Sequence, residues 1–411
     1  MIRALITRTV AVVLFVSVSA SARAADAPPF ELKDGDRVAF IGGTLIEREQ
    51  SHGYVETLLR TRWPERKVAF RNLGWSGDNV FGASRGYFEG AEQGFARLDK
   101  IAHELKPTVI FVGYGMAESF EGEAGLPAFR AGLEKMLDML KDLDARTVLI
   151  GPNRHENLGA QLPDPTEHNR NLRNYADAMK DVAKQRGHRF IDLYEILGDG
   201  TQADPPMPLT DNGIHLTPYG YWRTALALEQ GLDLPPRGWD LLVFRDEVKV
   251  SGTLNQDAVK VEASGAGMKI TLKALPLPVP PPPGGGEHRM GPAHERRLRV
   301  LGLAPGNYVL LSEGKRVAAG TAEQWAQGID VVEDAPASNA EKIRQLAVQK
   351  NIQYFNQWRP ANETYIFGFR AKEQGQNAAE MPKFSEPIAE LEAEITALAQ
   401  PAETVYELKA Q

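Results

Sequence analysis

Short apolar runs alternate with longer amphipathic stretches from about residue 34 to residue 234. Five of these runs are almost continuously apolar, which is typical of strands that are buried on both faces of a sheet. The predicted strands are 37–41, 67–73, 108–112, 147–150 and 189–193. The stretches between them predict helices, because Phe129, Leu133 and Leu137, for example, recur on one helical face. Residues 34–235 are therefore predicted to form an α/β domain with a parallel sheet between helices.

The pattern changes to period two in residues 236–334, which predicts an antiparallel β module with strands at 241–250, 258–263 and 268–274. The stretch LPLPVPPPPGGG at 275–286 interrupts it. Its prolines favour an extended conformation and its glycines loosen the chain, so we expect a long exposed loop. A ligand for a proline-binding partner is the alternative.

Residues 335–411 are predicted to form a helical C-terminal tail. One helix is expected to start at a Ser338 cap and to stop before Pro360, and a second starts near Pro387. Between them, residues 358–380 are dense in aromatic, amide and charged side chains. This segment is either an arm packed across the α/β domain, which we favour, or the lining of a polar pocket for a sugar.

The N-terminus has the pattern of a secretory signal peptide. Arg3 and Arg8 precede the apolar run 11–18, which is too short to span a bilayer, and residues 22–24 read Ala-Arg-Ala. We expect cleavage after Ala24 and export to the periplasm or the cell exterior, with an uncleaved anchor as the alternative. No other run of about 18 apolar residues follows, so the mature chain is predicted to have no membrane span.

Composition narrows the function classes. A hydrophobic share of 43% in 411 residues can fill a core, and the absence of cysteine excludes disulfides, thiolate metal sites and a cysteine nucleophile. The net charge of −7, which becomes −10 without residues 1–24, disfavours a nucleic-acid partner. His52, His155 and His168 lack a metal-ligand spacing, so no metal and no cofactor are predicted. The sequence indicates no oligomeric state.

The chemistry is expected in loops that follow the strands, because ligands of parallel sheets bind beyond the carboxyl ends of the strands. Backbone amides of small residues there can approach an oxyanion, and a histidine near a hydroxyl can act as a base. Four blocks fit this expectation, and they read GGTLIE from Gly42, NLGWSGD from Asn72, GYGMAES from Gly113 and LTDNGIHLTPYGY from Leu209.

The order of these blocks resembles the SGNH (GDSL-type) hydrolase superfamily, over about half of the chain. The variants GGT, GYGM and TDNGIH are similar to those of a group of exported bacterial proteins in that superfamily. The resemblance implies a flavodoxin-like three-layer α/β/α fold and hydrolysis of esters, often of acyl groups on lipids or carbohydrates. It also implies a serine nucleophile, an oxyanion hole and a late Asp-x-x-His pair.

When the motifs of the family are matched position by position, the resemblance implies that Thr44 stands where the family has its nucleophilic serine. The oxyanion hole would be formed at Thr44, Gly77 and Ala117, of which Ala117 replaces the asparagine of the family. Threonine provides a hydroxyl, but its branched Cβ stiffens the side chain and crowds attack. Alanine provides no side-chain donor, and the loss of one such donor costs about 10²- to 10³-fold in rate. Ser76 and Ser119 are weaker candidates for the nucleophile.

The late pair retains its histidine, His215, but Asn212 stands where the family has aspartate, and Asp211 lies one residue earlier. His215 would be the base, with Asp211 or Asn212 orienting it. Two hypotheses follow. The chain is an exported hydrolase of acylated carbohydrate or another small ester, acting through Thr44 and His215. Alternatively, it is a hydrolase fold that has lost catalysis and binds a glycan or a protein.

Overall fold

The structure of the protein is a computed structural model. It describes residues 29–87, 89–198, 207–244, 247–252, 254–273, 276–284, 293–373 and 377–411. The predicted signal peptide, residues 1–24, lies outside these ranges, as do residues 275, 285 and 286 of the predicted proline-rich loop. None of the helices within these ranges is long and apolar enough to cross a membrane.

Five parallel strands form the central sheet, as predicted. They are β1 (Arg37–Gly42), β2 (Ala69–Asn72), β3 (Val109–Gly113), β4 (Arg146–Ile150) and β5 (Arg189–Ile191). Their order is β2-β1-β3-β4-β5, which is the order of flavodoxin-like sheets. In the register of β1 and β3, Gly42 pairs with Gly113, so the ends of both strands meet at one edge of the sheet. The predicted fold class is confirmed.

Helices cover both faces of this sheet because successive strand residues point to opposite sides. The helices of the domain are α1 (Thr44–Glu49), α2 (Tyr54–Arg62), α3 (Ala91–Leu105), α4 (Gly122–Met139), α5 (Thr166–Arg186), α6 (Leu193–Ile196) and α7 (Pro218–Gly231). Val38 and Phe40 pack in the core under α2 and α7, whereas Ala39 and Ile41 pack in the core under α3, α4 and α5.

Within the described residues, the β module contains two sheets and a short α-helix. Its elements are β6 (Trp239–Phe244), β7 (Glu247–Gly252), β8 (Val259–Ser264), β9 (Gly267–Leu272), β10 (Arg296–Leu301), β11 (Asn307–Ser312), β12 (Lys315–Thr321), α8 (Ala322–Gln327) and β13 (Ile329–Asp330). The prediction of one strand over 241–250 is wrong, because β6 and β7 form an antiparallel pair there. The alternation of apolar and polar residues continues through both strands, so the sequence pattern does not show where the chain reverses its direction. The module also contains a parallel pair, β6 and β10.

The proline-rich segment differs from the predicted exposed loop. Leu277 and Val279 are buried, and the indole nitrogen of Trp222 in α7 donates to the Pro280 carbonyl at 3.0 Å. Val279 therefore packs in a core of the α/β domain, whereas Leu277 packs against the helices of the tail. The reason is its composition, since a leucine and a valine alternate with the prolines and give the extended chain an apolar side.

The tail contains α9 (Ala335–Trp358), α10 (Glu363–Ile366), α11 (Ser385–Ala399) and a final strand, β14 (Thr404–Ala410). The predicted Ser338 cap is wrong, because the Asp334 carboxylate accepts the Ala337 amide at 2.9 Å and begins the helix earlier. The prediction of a helical tail to residue 411 is also wrong at its end. β14 lies between β9 and β11 in the five-stranded sheet of the β module, in the order β12-β11-β14-β9-β8.

Arg237 joins the two parts of the chain at their boundary. Its buried guanidinium donates to a Glu229 carboxylate oxygen at 2.7 Å, to the Thr61 hydroxyl at 2.9 Å and to the Leu277 carbonyl at 3.0 Å. These partners belong to α7, α2 and the proline-rich segment. A buried charge with this many acceptors is costly to displace, so the β module is held firmly on the α/β domain.

Candidate active site

A cleft opens at the carboxyl ends of the central strands, where the sequence places its chemistry. Its volume is about 820 Å³ including the open mouth. Three of the predicted site residues, Thr44, Ala117 and His215, line it, whereas Gly77, Asp211 and Asn212 do not. The lining residues are Gly43, Thr44, Leu45, Asp78, Gly113, Tyr114, Gly115, Met116, Ala117, Glu118, Phe120, Pro152, Asn153, Ile214, His215, Leu216 and Tyr221.

Thr44 is the first residue of α1, directly after the turn that ends β1. The turn needs a glycine at position 42, because a Cβ there would lie 2.3 Å from the Gly113 carbonyl oxygen. The Gly77 amide donates to the Thr44 hydroxyl at 3.1 Å. Gly77 has a φ of +76°, a conformation that favours glycine. The Thr44 hydroxyl, which lines the cleft, is thus held by a backbone donor.

His215 is held by Asn212 within a tight turn. The side-chain oxygen of Asn212, Oδ1, accepts the backbone amides of Ile214 and His215, at 3.1 and 2.9 Å. This fixes the orientation of its side chain, so the Asn212 amide nitrogen faces His215 Nδ1 at 3.0 Å and donates to it. A neutral His215 then carries its proton on Nε2. This is the opposite tautomer to that of a triad, in which a carboxylate accepts from Nδ1–H.

Asp211 does not take the place of that carboxylate. It is exposed, and its backbone amide donates to the His215 carbonyl at 2.9 Å. Within the described ranges its side chain makes no hydrogen bond to His215, and Thr44 makes none either. Burial is the main cause that lowers the pKa of His215, and Arg48 adds to it while Asp211 opposes it. The ring is therefore neutral at pH 7.

Two buried carboxyl groups at the floor of the cleft were not predicted as site residues. Glu118 accepts the amides of Val80 and Gly115, each at 2.9 Å, and burial raises its pKa. Asp78 binds Arg85 at 2.6 Å and the Tyr114 hydroxyl at 3.0 Å. Glu118 follows Ala117 and Asp78 follows Gly77, and both of these neighbours are predicted site residues. Their burial between loops from different strands is a tertiary feature that the sequence pattern does not reveal.

The alternative serines are placed away from the chemistry. Ser119 is fully buried, donates to the Met116 carbonyl at 2.8 Å and contacts His168 Nε2 at 2.8 Å. Ser76 is exposed and does not line the cleft. Ala117 does line it, but its methyl group offers no donor to an oxyanion. Of the three predicted hydroxyl groups, only that of Thr44 lines the cleft.

The histidines near the cleft contact each other and its rim. Within the parts of the chain that the structure describes, no three His, Asp or Glu side chains are grouped so that they could hold a metal ion. His155 and His168 contact each other through their Nδ1 atoms at 3.0 Å. The His168 ring also stacks on Phe120, with ring centroids 4.0 Å apart, at the rim of the cleft. These histidines therefore support the wall of the cleft.

A parallel sheet in this order, with a hydroxyl after the first strand and a histidine before the last helix, defines an SGNH-type α/β domain. Residues 40–223 match the GDSL-like Lipase/Acylhydrolase family. This match covers almost the whole α/β domain, as its four blocks predict. No curated protein matches the chain.

One solved structure has this fold over most of its length. The chain is similar to a gut microbial diltiazem-metabolizing enzyme, with a TM-score of 0.69 and 17% identity over 93% of this chain and 99% of the other. That likeness extends through the β module and the tail. The acetylxylan esterase Axe2 from Geobacillus stearothermophilus covers 49% of this chain with 96% of its own, at 19% identity and a TM-score of 0.38. An α/β hydrolase from the metagenome of Lake Arreo, Spain, has 18% identity and a TM-score of 0.38, over 49% of this chain and 97% of its own.

Proposed function

We propose that this chain is an exported ester hydrolase in which Thr44 is the nucleophile and His215 transfers the proton. Its substrate would be an acylated carbohydrate or another small ester. The observation that carries the proposal is the 3.1 Å contact of the Gly77 amide with the Thr44 hydroxyl, in a cleft that His215 also lines. The same amide can move to the carbonyl oxygen once that oxygen becomes negative.

The reaction would proceed in two halves. The Thr44 oxygen adds to the ester carbonyl while its proton passes to His215, and the alcohol leaves with that proton. The product is an acyl ester of Thr44. Water then adds to this ester, and cleavage of the bond to Thr44 restores the hydroxyl and releases the carboxylic acid. The amides of Thr44 and Gly77 would stabilise the oxyanion in both halves.

Three features indicate a slow enzyme. Thr44 is stiffer than serine, Ala117 supplies no third donor, and Asn212 favours the His215 tautomer that already has a proton on Nε2. For proton transfer, the His215 ring has to change tautomer against its contact with Asn212. The last of these costs is the largest, since an asparagine in place of the triad aspartate lowers kcat by about 10⁴-fold in the serine proteases.

Thr44→Ala and His215→Ala are expected to reduce the hydrolysis of p-nitrophenyl acetate and of an acetylated xyloside to the rate in buffer. His103→Ala is a matched control, because His103 lies on α3 and binds Asp142 at 3.0 Å. It is expected to leave the rate unchanged. Steady-state kinetics on purified variants measure this. Full activity in His215→Ala would contradict the assignment of the base.

A second function is favoured by the contact between Asn212 and His215. With its proton on Nε2, His215 can donate a hydrogen bond into the cleft, which suits a site that holds a carbonyl or hydroxyl group without reacting. The chain would then be a glycan- or protein-binding module with the fold of a hydrolase. Calorimetry with an acetylated xylo-oligosaccharide separates the two functions, since saturable binding without product release supports this one.

Export is proposed from the charged and apolar pattern of residues 1–24. We expect the protein recovered from the periplasm or the culture medium of a bacterial host to begin at Ala25. N-terminal sequencing measures this, and a variant with Leu14→Arg and Val16→Arg serves as the control because charges in the apolar run should block export. A secreted chain that still begins at Met1 would contradict cleavage.

A further inference from the structure

Arg359, at the end of α9, contacts the active-site region from outside the α/β domain. Its Nη1 donates to the Glu47 carboxylate at 2.8 Å. Its guanidinium carbon lies 3.5 Å from the centre of the Trp75 ring, in a cation–π arrangement. Glu47 belongs to α1 and Trp75 to the loop after β2. One side chain of the tail therefore touches both segments that carry the proposed chemistry.

Glu47 connects these two segments directly. The carboxylate oxygen that accepts from Arg359 also accepts the Ser76 amide. Glu47 lies one helical turn after Thr44, and Ser76 precedes Gly77. The carboxylate therefore bridges the helix of the proposed nucleophile and the loop of the proposed oxyanion donor. Arg359 is the cation that balances this half-buried carboxylate.

Trp75 fixes the other side of the contact. It is 4% exposed, and its amide donates to the Gly42 carbonyl at 2.9 Å. The loop is also close to α1 at Gly74, where a Cβ would lie 2.3 Å from the Glu47 nitrogen. Loop and helix are thus packed backbone against backbone, and Arg359 covers the outer side of this junction. A small rotation of Glu47 would move the Ser76 and Gly77 amides relative to Thr44.

We propose that Arg359 is a positioning residue that holds the Gly77 amide at the Thr44 hydroxyl through Glu47 and Trp75. This inference rests on the proposed ester hydrolysis, because the position of the Gly77 amide relative to Thr44 matters for the stabilisation of an oxyanion. Arg359 does not line the cleft and so would act only through these two residues. A misplacement of reacting groups by about 1 Å can lower a rate by about 10²-fold.

Arg359→Ala is expected to lower kcat for p-nitrophenyl acetate by about 10- to 100-fold with little change in KM. Arg359→Lys keeps the charge but loses the planar contact with Trp75, so an intermediate kcat is expected. Added guanidinium ion at millimolar concentration should restore part of the activity of Arg359→Ala. Arg370→Ala is the matched control, because Arg370 lies in the same segment and pairs with Glu373 on the surface.

A purely structural role predicts another result. In that case Arg359→Ala would unfold more easily, yet its folded fraction would keep the kcat of the unchanged protein and would not respond to guanidinium. That outcome would overturn the proposal.

Amide exchange tests the positioning without any turnover. Hydrogen–deuterium exchange at Ser76 and Gly77 is expected to become faster in Arg359→Ala and to stay unchanged in Arg370→Ala. If the unchanged protein hydrolyses no ester, this measurement still decides the role of Arg359, and only the proposed function fails. Exchange at both amides that is the same in Arg359→Ala as in the unchanged protein would overturn the inference.

Discussion

Asn212→Asp is expected to raise kcat for ester hydrolysis by about 10³- to 10⁴-fold, which is the reverse of the loss caused by asparagine in a serine-protease triad. Asparagine donates to His215 Nδ1 and so keeps the proton on Nε2. An aspartate of the same shape can keep the backbone amides of Ile214 and His215 on one oxygen and accept Nδ1–H on the other. The Nε2 lone pair then becomes available to the Thr44 proton.

The pH dependence provides a second measurement of the same change. Burial lowers the pKa of His215, so the neutral ring persists below its ordinary titration range and the acidic limb of kcat/KM lies at low pH. A carboxylate on Nδ1 stabilises the charged ring and raises its pKa. In Asn212→Asp the acidic limb should therefore move to higher pH.

Asp211→Asn is the control for this experiment. Asp211 is exposed and makes no hydrogen bond to His215 among the described residues, so this change is expected to alter kcat much less. An Asn212→Asp variant that folds and shows the same kcat and pH profile as the unchanged protein would contradict the assignment of the tautomer. It would also favour the binding function over catalysis.

Asp334→Ala is expected to lower the free energy of unfolding by about 3–5 kcal/mol, because it leaves a buried arginine without its counter-ion. Asp334 binds Arg296 at 2.7 Å and accepts the Tyr406 hydroxyl at 2.5 Å, and it caps α9 through the Ala337 amide. A single 2% exposed carboxylate thus connects β10, β14 and α9. Urea-induced unfolding followed by tryptophan fluorescence measures the change.

The neighbouring ion pair offers a matched control. Arg297 binds Asp330 at 2.8 Å, but both side chains are more than 30% exposed. Asp330→Ala is therefore expected to cost no more than about 1 kcal/mol. Asp334→Asn keeps the oxygen that caps α9, so its loss in free energy of unfolding should lie between those of Asp334→Ala and Asp330→Ala. Equal costs for Asp334→Ala and Asp330→Ala would contradict the importance of burial.

The sheet and the location of the site were predictable because both depend on local patterns. Each continuous apolar run became a strand, and the glycine-rich block after β1 placed Thr44 at the cleft. The binding of His215 was not predictable, because whether Asp211 or Asn212 reaches the ring depends on the path of a five-residue turn. The sequence offered both, and the structure uses Asn212.

Other differences arise from packing between distant segments. Residues 404–410 alternate in burial as a strand does, but β14 is a strand only because β9 and β11 lie on either side of it. The prolines at 278 and 280 predicted exposure to solvent, yet Val279 between them packs in a core of the α/β domain. Glu118 is buried because amides from two loops enclose its carboxylate, and the sequence pattern does not show that these loops meet.

The central place of β14 has a consequence for the order in which the chain folds. During synthesis the α/β domain can be completed while the last residues are still absent, because its strands all come from the first half of the chain. The five-stranded sheet cannot, since β9 and β11 have no common neighbour until residues 404–410 arrive. Until then both strands present unpaired edges, which are prone to aggregation. The end of the chain therefore closes the β module as a late step of folding.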